Sequence, residues 1–187
     1  EFKGIMQSLE VMHRRVNYCF ETTQRLLELN KQTNGLDLGY CSPNKVIRSA
    51  LGVVRHEQEI LGTRIVFRAG AGVPDIAMDP TDFNQIVVNI LTNAIQSMPH
   101  GGQITLRTGL LKKEGAVLIE CRDTGIGIAK EALPHVFEPF FTTKQRGVDK
   151  NAGLGLSIVH SLVKAALGRI EVKSNPRSGT SVKVWMP

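Results

Sequence analysis

Asp123-Thr124-Gly125-Ile126-Gly127-Ile128 follows the apolar-polar run Ala116 to Cys121, and the architecture turns on how this junction is read. An acid at the end of a strand, then two glycines one residue apart, describes a chain that leaves a sheet through a sharp turn with its backbone accessible. The junction is not a dinucleotide-binding turn of the Rossmann kind. Lys130 stands where a third glycine would fall, and no ribose-binding acid lies suitably beyond. No Gly-Lys-Ser/Thr phosphate loop occurs anywhere in the chain. The fold therefore has to be read from the order of the elements.

Upstream, Gln103 to Leu111 pairs with Ala116 to Cys121 as a hairpin around Lys112-Lys113-Glu114-Gly115. Asp79-Pro80 opens a helix whose inward face is Phe83, Ile86, Val87, Ile90, Leu91 and Ala94, closing at Met98-Pro99-His100-Gly101-Gly102. Ser42-Pro43 starts another, predicted to run to about Gln58. Arg64 to Arg68 alternates as a strand, and Ile76-Ala77-Met78 is a short strand end. Downstream lies a loop-rich stretch over 129–152. A helix from Leu154 to Ala166 follows, then strands Arg169 to Lys173 and Thr180 to Trp185. Residues 1 to about 33 carry Ile5, Leu9, Met12, Val16, Cys19, Thr23 and Leu26 at intervals of four and three. That is a long helix with a coiled-coil-like seam, too polar outside to fold alone, and Asn34-Gly35 ends it. The order α, α, β, β, α, β, β, loop, α, β, β predicts an α+β two-layer sandwich, with helices on one face of a mixed sheet.

The chain has 187 residues and 42% apolar content, enough for one core domain with a short remainder. No apolar run approaches the ~18 residues of a membrane helix. Cys19, Cys41 and Cys121 are odd in number and lack ligand or disulfide spacing, so reduced thiols in a cytosolic setting are expected. The net charge of +6 is spread along the sequence, without interleaved aromatics, which argues against a nucleic-acid partner. None of the five histidines has metal-ligand spacing.

Chemistry concentrates in three stretches. Asn89-Ile90-Leu91-Thr92-Asn93-Ala94 sets two amides one turn apart on an otherwise apolar helix. Buried amides need partners, and these are either core-network groups or hard oxygen donors to Mg²⁺. Asp123, with Gly125 and Gly127 behind it, offers a carboxylate to an exocyclic amine and a bare backbone to a flat ring. Gly153-Leu154-Gly155-Leu156 opens an apolar-faced helix whose free N–H groups suit an anion. Lys144, with Thr142 and Thr143, lies in the loop before it and offers a charge for a terminal phosphate. Together they fit a purine triphosphate with magnesium.

These stretches resemble the boxes of the catalytic ATP-binding domain of sensor histidine kinases, in the wider superfamily shared with gyrase B, MutL and the ninety-kilodalton heat-shock chaperone. Asn89 to Ala94 is similar to the N box, and Asp123 to Ile128 to the first glycine box. Gly153 to Leu156 matches the second glycine box and Gly179-Thr180 the last. Phe137-Glu138-Pro139-Phe140-Phe141-Thr142-Thr143-Lys144 is the most specific string and resembles the F box of the nitrogen-regulation-like branch. The resemblance covers about 40–187 and implies a Bergerat-type ATP-binding fold. The catalytic domain would be 37–187, with an ATP lid at about 129–152. Residues 1–36 would be the second helix of a dimerisation and phosphotransfer region.

By that resemblance, ATP and Mg²⁺ are the cofactors and the activity is protein-histidine kinase. Asn93, helped by Asn89, would hold the metal. Asn89 and Lys144 would act in transfer, Asp123 would read the adenine amine, and Thr180 would back the base. Gly125, Gly127, Ile128, Phe137, Thr143, Lys144, Gly153, Leu154, Gly155 and Leu156 would complete the nucleotide site. The acceptor histidine is expected outside the chain, since His13 is followed by Arg14-Arg15 rather than an acid. The implied partners are an acceptor-histidine helix of the same protein, a second copy in a homodimer, and a response regulator receiver domain. The implied location is the cytoplasmic part of a kinase. Two departures stand out: Lys150-Asn151-Ala152 before the second glycine box, where the family usually has Gly-Thr, and a single glycine in Ala165-Ala166-Leu167-Gly168. The rival readings are an ATP-hydrolysing conformational switch and a nucleotide-binding module without catalysis. The switch ATPases place a glutamate at the position of Asn89, and an amide there cannot act as a base near neutral pH.

Overall fold

The computed structural model describes residues 39–143 and 153–187. The expected N-terminal helix, its seam, the division at residue 36 and Lys144 all lie outside the described residues. We number the elements in chain order. The strands are β1 (Tyr40–Cys41), β2 (Thr63–Arg68), β3 (Ile76–Ala77), β4 (Gly102–Leu111), β5 (Ala116–Asp123), β6 (Arg169–Asn175) and β7 (Gly179–Met186). The helices are α1 (Pro43–Val53), α2 (Arg55–Ile60), α3 (Pro80–Gln96) and α4 (Gly155–Ala165), with a 3₁₀ turn at Leu133–His135.

Five strands form one mixed sheet in the order β2-β4-β5-β7-β6. Only β2 and β4 run parallel; β4-β5, β5-β7 and β6-β7 are antiparallel. Alternation along each strand sends Ile104, Leu106, Val117, Ile119, Cys121, Val182, Val184 and Met186 to one side, where all are buried. On that side α3 contributes Phe83, Ile86, Val87, Leu91 and Ile95, and α4 contributes Val159 and Val163. This is the two-layer α+β arrangement that the periodicities require.

The junctions follow local chemistry. Asp79 accepts a hydrogen bond from the Thr81 N–H at 2.7 Å, and Pro80 then sets the first turn of α3. The helix expected from Pro43 to Gln58 is two helices, broken at Val54. Gly52, Val53 and Val54 are weak helix formers in succession, and burying Val54 in the core outweighs helical continuity there. The two-residue pairing of β1 with β3, Tyr40 opposite Ala77 and Cys41 opposite Ile76, is too short and too distant in sequence to leave a pattern. Among the described residues no helix is long and apolar enough to cross a membrane.

Candidate functional site

The C-terminal end of β5, the last turns of α3 and the start of α4 enclose a cavity of about 130 Å³. Of the residues singled out in the sequence, its wall contains Asn93, Asp123, Gly127, Ile128, Thr143, Gly153, Gly155, Leu156 and Thr180. Ile90, Ala94, Cys121, Val136 and Val182 give the wall an apolar lining. Ile126, 62% exposed, stands at the mouth, where a flat apolar ring would cover it.

Asp123 is only 5% exposed. Its Oδ1 accepts from the Gly125 N–H at 2.8 Å and the Thr180 N–H at 3.0 Å. Ser97 Oγ lies 3.4 Å away, its one proton shared with the Ala94 carbonyl at 2.8 Å. These bonds fall on one oxygen, so Oδ2 is the acceptor left for whatever enters. Burial raises the carboxyl pKa, opposed by the bonds from Gly125, Thr180 and Ser97. Glycine is required at two points around it. A side chain on Gly125 would run into Ser97 Oγ, and one on Gly127, at φ +72, into the Asn175 carbonyl.

Ser174, which the sequence reading passed over, ties the two turns together. Its Oγ accepts from the Ile128 N–H at 2.8 Å, donates to the Gly179 carbonyl at 2.9 Å and lies 2.9 Å from Thr180 Oγ1. A carbonyl cannot donate, so Ser174 spends its proton on Gly179 and Thr180 donates to Ser174. Thr180 is thereby left with acceptor lone pairs at the cavity wall.

Asn93 and Asn89 meet the start of α4. The point where Gly155 would carry a Cβ is 3.1 Å from Asn93 Nδ2 and 3.6 Å from both Oδ1 atoms. The absent side chain leaves both amides open toward the first turn of α4, which has no side-chain cap. Two neutral oxygens beside an uncapped helix N-terminus suit a hard cation shared with an anion, and so fit Mg²⁺ brought by a phosphate chain. Among the described residues no cluster of His, Cys, Asp and Glu could hold a metal by itself.

Asn89, Gly125, Phe137 and Leu154 are not in the cavity wall. Phe137 stacks on His160 of α4, with ring centroids 4.9 Å apart. Burial, then the charge of Lys164, lowers the His160 pKa. Phe140, at φ +64, and Phe141 press their backbone on Gly153, where a Cβ would come within 2.7 Å of Phe140 carbon. That contact joins the two sides of the 144–152 segment. Ser97, Cys121, Val136, Phe141 and Thr142 line the cavity without having been assigned from sequence. Ser97 had a signal: it follows Asn89 and Asn93 at the same four-residue interval.

Residues 78–187 match the family model described as "Histidine kinase-, DNA gyrase B-, and HSP90-like ATPase". The chain belongs to this family. Among curated relatives, "Sensor histidine kinase ZraS" of Escherichia coli (strain K12) is 32% identical over 181 residues, 97% of this chain and 37% of ZraS. "Sporulation kinase E" of Bacillus subtilis (strain 168) is 31% identical over 143 residues, 76% of this chain and 19% of that kinase. The chain thus spans well under half the length of these relatives. Among solved structures, full-length ShkA in complex with AMPPNP aligns with TM-score 0.71 and 26% identity, covering 81% of this chain and 31% of ShkA. The nucleotide-free catalytic domain of the histidine kinase ThkA aligns with TM-score 0.67 at 24% identity, over 80% of this chain and 94% of that one, a likeness of fold. In family terms, the cavity lies in the ATPase-type domain, between the acid-glycine turn and the paired amides.

Proposed function

We propose that the chain is the catalytic part of a sensor histidine kinase, which binds Mg·ATP and passes the γ-phosphoryl group to a histidine outside these residues. The observation that carries this reading is the convergence of Asp123, Thr180, Asn93 and the uncapped start of α4 on one cavity. Asp123 Oδ2 accepts from the adenine amine, while Thr180 turns an acceptor toward the base. The first N–H groups of α4 hold the phosphates. Asn93, with Asn89 behind it, would supply oxygens to Mg²⁺, which when bound neutralises phosphate charge. Lys144 adds a second positive charge. The Nε2 or Nδ1 lone pair of a neutral imidazole forms the new bond to phosphorus, the bond to the β,γ-bridging oxygen breaks, and ADP leaves with that electron pair. Catalysis of this kind is positioning and charge neutralisation.

The ATP-hydrolysing switch is disfavoured because Asn89 occupies the position of the water-activating glutamate. Residues 1–36 would belong to the dimerisation region of a homodimeric parent, and a receiver domain of a response regulator would take the phosphoryl group onward. The test is reconstitution: the chain, Mg·ATP and a separately supplied acceptor helix should yield phosphohistidine. Binding without transfer would favour the module without catalysis, and rapid phosphate release by the chain alone would favour the switch.

A second prediction concerns Ser174. Ser174→Ala removes the acceptor of the Ile128 N–H and the group that fixes the Thr180 hydroxyl. ATP affinity should fall roughly 5–10-fold, from about 1–1.5 kcal/mol of lost hydrogen bonding. Calorimetry checks it, and an unchanged Kd would remove Ser174 from the site's support.

A further inference from the structure

The side of the sheet away from the helices has no layer over it among the described residues, and it is strongly basic. Strand register sets a row of Arg68, Arg107, Glu120, Lys183 and Glu171 across β2-β4-β5-β7-β6. A second row sets Arg122, Ser181 and Lys173 side by side, and these three line part of a notch of about 190 Å³. Arg64 and Arg169 occupy corners of the same face, the guanidinium of Arg169 lying 4.0 Å over the Trp185 ring. Seven basic side chains thus share the face with two acidic ones, a surplus that matches most of the +6 of the whole chain.

The two acids are already engaged. Glu120 pairs with Lys183 at 3.5 Å and Glu171 with Lys173 at 3.0 Å. Arg64, Arg68, Arg107 and Arg122 are exposed, with no ion pair to another described residue. Holding such charges together on a rigid sheet opposes folding through self-repulsion, so they mark a surface that an opposite field would stabilise.

We propose that this sheet face docks an acidic globular protein domain, held by fast-exchanging charge contacts. Three observations select a protein over a uniform polyanion. The carboxylates of Glu120 and Glu171 stand inside the patch, where an anionic lipid surface or a nucleic-acid backbone would meet them with like charge. A protein surface can set a basic residue opposite each. Trp185 is already covered by Arg169, so it offers neither a free ring for base stacking nor a wedge for a bilayer. Finally, the free cations are all arginines, whose planar forks pair two-pronged with carboxylates. Five strands spaced ~4.8 Å apart, with about six residues of each paired across the sheet and every second one facing outward, give on the order of 500 Å². That is below the ~800 Å² per partner of a stable complex, which makes the contact transient.

The test uses the 187-residue chain with a glutamate-rich copolymer that also contains lysine, phosphatidylglycerol vesicles and duplex DNA as probes, followed by amide NMR shifts. The copolymer should perturb the outer rows of β4, β5, β6 and β7. The double variant Arg107→Gln/Arg122→Gln should bind it about tenfold more weakly. The control Lys112→Gln/Lys113→Gln, on the β4-β5 turn, should change binding less than about twofold. Shifts scattered over the surface, or equal loss in the control, would overturn the proposal. So would tighter binding of vesicles or DNA that depends on the same two arginines. ATP titration of the same samples keeps this outcome separate from the kinase reading, since neither arginine lines the nucleotide cavity.

Discussion

Asp123→Asn is expected to weaken ATP binding roughly 10–150-fold, the ~1.5–3 kcal/mol of a charge-assisted hydrogen bond, while leaving the fold intact. The reason is the division of labour within the carboxylate. Oδ1 holds the N–H groups of Gly125 and Thr180, and an amide oxygen can keep both bonds. Oδ2 is replaced by an NH₂ group that meets the adenine amine donor to donor. Because burial raises the Asp123 pKa, the folded chain holds that proton more tightly than the unfolded chain does. The carboxylate's effect on stability is therefore most favourable below the ordinary carboxylate range. It is lost as pH rises through the interval up to the raised value. Above that interval the ionised group opposes folding, and asparagine removes that cost, so thermal stability there should hold or rise. Binding has the opposite sign: affinity for ATP should fall as pH drops through the raised pKa, and the variant should lack that acid limb. Inosine triphosphate carries a carbonyl oxygen in place of the amine, an acceptor that the asparagine NH₂ can meet and the carboxylate cannot, so it should bind the variant more tightly than the wild type. Equal affinity of wild type and variant for ATP in calorimetry would show that Asp123 does not touch the base.

Reading the sheet and helices from sequence worked where one face is buried continuously. The alternation of Val117, Ile119 and Cys121 or of Val182 and Val184, and the α3 stripe through Phe83, Ile90 and Leu91, each specify a side as well as an element. It failed where a non-local choice decides. The β1–β3 bridge depends on a pairing across more than thirty residues, and the break at Val54 depends on burying one side chain. The site divides the same way. Asp123, Asn93 and the two glycine turns were legible because amides on an apolar helix and acids before glycines are unusual by themselves. Ser174 is an ordinary serine in sequence, and its role exists only through Ile128 and Thr180 folding beside it. Ser97 carries only its four-residue interval from Asn93, and its contact with Asp123 comes from the fold. Phe137 shows the converse: a member of a recognisable string that the fold sets against His160, outside the cavity wall.

Asn93→Ala should abolish the tightening of ATP binding by magnesium. It should also lower transfer to a supplied acceptor helix by at least the ~10–100-fold typical of losing even an outer partner of a metal. Neither Asn89 nor Asn93 has a side-chain hydrogen bond to another described residue, yet both amides are only partly exposed and both reach the side-chain-free edge of Gly155. A core-network amide would be satisfied by protein partners, and its removal would lower the melting temperature. A ligand-facing amide leaves the free fold indifferent, and alanine is the stronger helix former at an interior position of α3. The two roles therefore separate on one variant: melting temperature unchanged with magnesium sensitivity lost, or the reverse. Asn89→Ala gives the graded case, since Asn89 sits one turn back and outside the cavity wall. It should reduce the magnesium effect without eliminating it. Should magnesium still tighten ATP binding fully in Asn93→Ala, the metal would be held elsewhere, and the convergence of both amides on α4 would be a matter of packing alone.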